Sequence, residues 1–240
     1  MIHHAFPASA LSVAFASGMA ASLVASAALA GPSWDLDNTS DAKQSAQDAQ
    51  AVTTGGSVLN ISGSLSGIPL LGEVDLVDMY LVYINAPMTF YMSTAGGQFG
   101  GSANFDSQLF LFSAQNNPTG MSAGALLANH LAAAGSSGSF VGSASSDGSY
   151  RLDSAGFYYL AISAFGTNPY ASNNELLWGA LTDPGVVAYG QGRELAYWQN
   201  VGDVQGGAYT IHLNGVTGVP APGACALLGL CGLLRSRRRN

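Results

Sequence analysis

The chain has 240 residues with 14 acidic and 7 basic side chains, a net charge of −7; 48% of its residues are hydrophobic and 9% charged. Four of the basic residues stand within the last six positions, so the rest of the chain offers no clustered cations for a phosphate backbone, and a nucleic-acid partner is excluded. The apolar content is too high for a wholly disordered chain, and little charge with many Gly, Ser and aromatic residues favours strands with glycine-rich connections over long surface helices.

Residues 8–30 are rich in Ala, carry Leu11, Val13, Phe15, Leu23, Val24 and Leu29, and end in Ala28-Leu29-Ala30. A short apolar segment closing on small-x-small is the pattern that signal peptidase accepts, so residues 1–30 read as a signal peptide cut before Gly31. The span 31–219 then holds all 14 acidic residues against Lys43, Arg151 and Arg193, a charge near −11. Solubility outside the cell explains that excess, and divalent cations stay open as ligands.

Residues 31–56 form a polar lead-in, with a turn or two of helix at 41–50, expected to lie across the surface of the fold. Asp35, Asp37, Asn38 and Asp41 place oxygens at spacings that suit calcium. An EF-hand loop needs Gly at its sixth position and Glu at its twelfth; Ser40 and Ala46 stand there, so a capped helix start is the simpler reading.

From Ser57 the pattern turns to strands. Val58 to Leu65 is the first. Val77 to Ile84 alternates with both sets mostly apolar, as in a strand covered on two faces. Met88 to Thr94 follows, then the breaks Gly96-Gly97 and Gly100-Gly101, then Gln108 to Phe112 with its turn at Asn116 to Gly120. Residues 121–136 suit a short helix or a strand, 136–149 a flexible Ser/Gly stretch with Phe140-Val141 as a short edge strand. Phe157 to Phe165 is the clearest strand. Residues 167–205 read as a long insertion, and Ala208 to Val216 as the last strand. Around eight short strands with turn signals predict an all-β, antiparallel β-sandwich over residues 57–217.

The remaining segment, 218–240, reads as a tail. Pro220 and Pro222 disfavour helix. The apolar run of 12 residues, 223–234, falls short of the roughly 20 that a spanning helix needs. Arg235, Arg237, Arg238 and Arg239 would hold its end on the cytoplasmic side. Both cysteines, Cys225 and Cys231, lie here, so no disulfide can staple the body.

The strip Val219-Pro220-Ala221-Pro222-Gly223-Ala224 with the apolar run and terminal arginines resembles the PEP-CTERM sorting signal, with Ala221 where glutamate is commonest. The resemblance implies an exported protein, a short hydrophobic helix in the tail, transient membrane association of the precursor, and processing by an exosortase-like membrane enzyme after signal peptidase has acted. The body resembles a second family. Asp78-Met79-Tyr80-Leu81-Val82, the stretch from Phe105 to Phe112, the stretch from Gly156 to Ser163 and that from Gly206 to Ile211 follow one another in the order of the bacterial pre-peptidase C-terminal domain. That resemblance implies a jelly-roll-like sandwich, here with a long insertion and flanked by the signal and tail helices.

Candidate sites are few. Glu73, Asp75 and Asp78 crowd the start of a strand and, with Asp106 from a later one, would form a carboxylate cluster at one end of the sandwich. The family resemblance makes Asp78 and Asp106 the leading calcium candidates; the alternative is that both cap turns. For catalysis the body offers His130 and His212, no His-Glu-x-x-His and no cysteine nucleophile, so no residue is given a catalytic role. Tyr170, Trp178, Tyr189, Tyr197 and Trp198 gather in the insertion, either to stack surface polysaccharide or bury at an interface, or to cover the sheet beneath. The sequence thus predicts an exported, non-catalytic surface or matrix protein, with a calcium- or polysaccharide-binding module as the alternative and a secreted hydrolase as a weaker one.

Overall fold

The computed structural model describes residues 42–53, 56–66, 75–117, 120–129, 136–181, 185–202 and 205–219. Residues 1–30, expected as a signal peptide, and the tail beyond Val219 therefore lie outside the described residues, with both flanking helices expected there, as does Glu73. In chain order the strands are β1 (Gln50–Ala51), β2 (Asn60–Leu65), β3 (Val77–Ile84), β4 (Tyr91–Ser93), β5 (Ser102–Ala103), β6 (Ser107–Asn117), β7 (Gly120–Asn129), β8 (Phe140–Gly142), β9 (Gly156–Ala164), β10 (Thr167–Tyr170), β11 (Val186–Val187), β12 (Tyr197–Asn200), β13 (Gly207–Asn214) and β14 (Val216–Thr217).

These strands build an all-β sandwich. A seven-stranded sheet runs β1-β3-β9-β6-β7-β11, with β14 also on β3; a five-stranded sheet runs β2-β13-β4-β8, with β5 also on β13. The pairings are antiparallel except β1 on β3. Alternation decides what each face buries. From β3, Tyr80, Val82 and Ile84 point between the sheets, where Ile61, Met92, Leu109, Leu160, Ile162, Ile211 and Leu213 meet them. Each such side chain contributes roughly 1.5–3 kcal/mol on burial.

The other face of the seven-stranded sheet is also buried. Val77, Met79, Phe110, Phe112, Tyr159 and Ala161 form a second core under Leu177, Trp178 and Leu181 of the insertion. This is why both residue sets of β3 are apolar. A bulge between Leu111 and Phe112 pairs Leu111 with Leu127 and Phe112 with Ala125, so Leu126 and Leu127 both join the inter-sheet core.

Two segments differ from the sequence expectation. The lead-in, expected across the surface, contributes β1, and Ala42 and Val52 are fully buried in the inter-sheet core. Small residues let this polar segment in: the amide of Met79 donates to Lys43 O at 2.9 Å and that of Val52 to Leu81 O at 3.0 Å. The stretch 136–149, expected to be flexible, is held by buried hydroxyls. Thr94 Oγ1 lies 2.8 Å from Ser107 Oγ and accepts from the amide of Ser139 at 2.9 Å, while Ser139 Oγ donates to Ser107 O at 2.6 Å. The expected edge strand at Phe140-Val141 is present as β8, on β4.

Candidate functional site

Of the carboxylates expected at one end of the sandwich, Asp75, Asp78 and Asp106 are among the described residues. Asp78 is fully buried, facing the inter-sheet core. Its Oδ2 accepts from the Tyr209 hydroxyl at 2.5 Å, and Tyr80 Oη lies 2.5 Å from Tyr209 Oη. Tyr209 has one proton and gives it to the carboxylate, so the Tyr80 hydroxyl must donate to Tyr209. Burial, then the neighbouring Tyr80 and Asp78, push the Tyr209 hydroxyl well above its usual pKa. Asp78 is thus a member of a buried hydrogen-bond chain joining the two sheets.

Asp75 and Asp106 are half-buried. Asp78 pairs with Ile162 on β9, and Ile162 with Leu109 on β6, three residues beyond Asp106. Two strands across and three residues along is about 14 Å between Cα atoms. The Asp106 carbonyl accepts from the amide of Phe165 at 2.8 Å, a turn contact at the end of β9. Among the described residues no three His, Cys, Asp or Glu side chains come together as a metal site.

His212, on β13, pairs its Nδ1 with Asn60 Oδ1 at 2.9 Å; His130 lies outside the described residues. Gly120-Met121-Ser122-Ala123-Gly124 has the Gly-x-Ser-x-Gly spacing of a nucleophile elbow, which needs a sharp strand-to-helix turn. Here the motif runs within β7, paired with β6 from Asn117 to Ser113, and Ser122 Oγ donates to Glu194 Oε1 at 3.2 Å.

The insertion aromatics cover the sheet. Trp178 is 2% exposed, lies 5.4 Å from Phe110 and 5.3 Å from Phe112 between ring centroids, and donates from Nε1 to Val186 O at 3.1 Å. Trp198 packs on the same two rings and donates to Gln44 O at 2.8 Å, tying insertion to lead-in. Tyr170 and Tyr197 stack across the β10–β12 ribbon at 5.3 Å, and Tyr189 remains exposed.

A different aromatic group stands on the outer face of the five-stranded sheet. Tyr91 of β4 lies 5.7 Å from Phe140 of β8, 6.2 Å from Phe99 and 5.9 Å from His212, and Phe99 lies 4.4 Å from Phe140. Asn214 stands directly opposite Tyr91, and Asn60 opposite His212. Because an amide oxygen only accepts, His212 Nδ1 donates to Asn60 Oδ1. Phe99 comes from a loop in which Gly96, Gly97, Gly100 and Gly101 all have positive φ. A Cβ on Gly100 would sit 2.9 Å from the His212 ring, and one on Gly101 2.0 Å from Ser93 O, so the loop presses onto the sheet. Sequence reading marks these glycines as chain breaks; the Phe between two glycine pairs was the available signal for the platform.

Comparison of the chain with family models, curated proteins and solved structures gives no match.

Proposed function

We propose that this is an exported, non-catalytic cell-surface or extracellular-matrix protein, delivered through its C-terminal sorting tail. The observation that carries the reading is the order of features in the tail: the Pro220-Ala221-Pro222-Gly223 strip, the apolar run, then Arg235, Arg237, Arg238 and Arg239 at the end. The body supports it in one respect. Its last described backbone bond is made by the amide of Val219 to Val52 O, so the proline strip starts where the sandwich ends. In this reading signal peptidase removes residues 1–30, and an exosortase-like membrane enzyme processes a precursor held transiently in the membrane.

We read the sandwich as a jelly roll. If β2, β3, β4, β6, β7, β8, β9 and β13 are numbered one to eight, the sheets run 1-8-3-6 and 2-7-4-5. Such interleaving of two Greek keys is the jelly-roll order, and it supports the resemblance to the pre-peptidase C-terminal domain. A second reading, a polysaccharide-binding module, is favoured by the aromatic outer face of the five-stranded sheet.

Deleting residues 220–240, or replacing Arg235, Arg237, Arg238 and Arg239 together by Ala, tests the sorting reading. The body should then leave its native cell fraction while remaining folded. An unchanged distribution of the body would refute the tail's role.

A further inference from the structure

We propose that the outer face of the five-stranded sheet binds an uncharged polysaccharide, with Phe99, Tyr91 and Phe140 as the stacking surface and His212, Asn60 and Asn214 as its polar flank. This rests on the reading of the body as a polysaccharide-binding module and assigns that module's site.

The first ground is the loop that holds Phe99. The four glycines that flank Gln98 and Phe99 in pairs adopt positive φ, at 73°, 57°, 68° and 78°. Ordering glycine is entropically costly, and the loop delivers a phenylalanine that stays 36% exposed rather than one that closes a core. The same loop is locked from several sides: Gly96 N donates to Gly100 O at 2.9 Å, and Ser93 Oγ donates to Gly100 O at 3.1 Å. A rigid loop that presents a half-exposed ring beside two more is a pre-organised contact surface, which lowers the ordering cost of binding.

The second ground is charge. The strands of this sheet read NISGSL, YMS, SA, FVG and GAYTIHLN and contain no Asp, Glu, Lys or Arg. The span 31–219 around it is strongly acidic. An anionic polymer would meet that field without a Lys or Arg of these strands to pair with, and a cationic one would meet no Asp or Glu of them. A neutral sugar chain has no such conflict. Its C–H faces suit aromatic rings, and its hydroxyls both donate and accept. The face supplies partners of each kind: amides at Asn60 and Asn214, hydroxyls at Ser62 and Thr210, which lie 3.0 Å apart, and the imidazole of His212.

The third ground is the contrast between the sheets. The insertion seals the outer face of the seven-stranded sheet with Trp178 and Trp198. Among the described residues no comparable segment crosses the five-stranded one, and its rings remain at the surface.

The test is calorimetric titration of the full chain with laminarin, dextran and xyloglucan, and with alginate as the charged contrast. At least one uncharged polymer should bind saturably, and alginate should not. Phe99→Ala and Tyr91→Ala should each weaken that binding at least about tenfold, with thermal unfolding showing both variants folded, and Phe99→Tyr should retain it. Tyr197→Ala, on the insertion, should leave affinity unchanged. Binding that survives both alanine variants, or that Tyr197→Ala abolishes, would overturn the site while leaving the module reading standing. No binding of any uncharged polymer would overturn both. Release of reducing ends from a bound polymer would contradict the non-catalytic reading and leave the site intact.

Discussion

The backbone amide of Val219 donates to the carbonyl of Val52 at 2.7 Å, closing the end of the sandwich against its lead-in. Beside it Gly218 N donates to Gly56 O at 3.2 Å, and Val58 N to Val216 O at 3.0 Å. The lead-in's Lys43 accepts from Met79 on β3, and β14 lies on β3 as well. Both ends of the described body therefore leave along the β3 edge of the seven-stranded sheet. Val219 thus belongs to the sandwich.

A chain ending at Val219 should therefore melt within about 2 °C of the full chain. One ending at Gly215 loses the buried Val216 and the three backbone bonds above. It should be less stable by about 4 kcal/mol, by chemical denaturation. Equal stability of the two truncations would contradict the clasp.

The Tyr80–Tyr209–Asp78 chain predicts an order of effects. Tyr209→Phe removes a hydroxyl donated to a buried carboxylate and should cost about 2–3 kcal/mol, whereas Tyr80→Phe removes a bond between two hydroxyls and should cost about 1 kcal/mol. Urea unfolding of the two variants measures this. The reverse order would show that the chain of donors runs the other way.

The buried tyrosines set an alkaline limit. Burial raises the hydroxyls of Tyr158, Tyr159 and Tyr209, and it raises Tyr150 to about 12. A raised folded-state pKa keeps the neutral form, so the stability it contributes is complete below the unfolded value near 10 and is lost as pH rises above it. Stability should fall above pH 10, with the tyrosinate absorbance of these four residues appearing together with unfolding. Titration of every tyrosine in the folded state near the ordinary value would contradict the buried network.

Asp147 gives the acid counterpart. The Ser145 hydroxyl, then the Ser149 amide and hydroxyl, hold its carboxyl down at about 2. The small stability it contributes is present above the ordinary value of 3.8 and fades as pH falls through about 2. In an NMR titration Ser145→Ala should move the Asp147 midpoint upward. An unchanged midpoint would assign the shift to another cause.

Where burial follows period two, the sequence was readable. β3, β9 and β13 stand close to their expected limits, whereas β6 runs on to Asn117, five residues beyond the expected Phe112. The doubly apolar pattern of β3 pointed to a second covered face, which the insertion supplies. Residues 121–129 were ambiguous because Ala123, Gly124 and Ala125 carry little period of their own. Their small size serves packing, letting Ala125 N reach Arg193 O at 2.8 Å. The lead-in was misjudged for the same reason, since Ala42 and Val52 are small buried contacts in polar surroundings. The charge of Asp78 is visible in the sequence, while Tyr209, whose hydroxyl it accepts, lies 131 positions away. The platform was hidden because Phe99, Tyr91, Phe140 and His212 come from four separate segments that only the sheet register brings together.

The intact mass of the native protein, taken from a recorded cell fraction, tests the sorting proposal most directly. The proposal predicts a surface or extracellular species that begins at Gly31 and ends between Val219 and Gly223. A native chain that still carries Arg239 and Asn240 would contradict it.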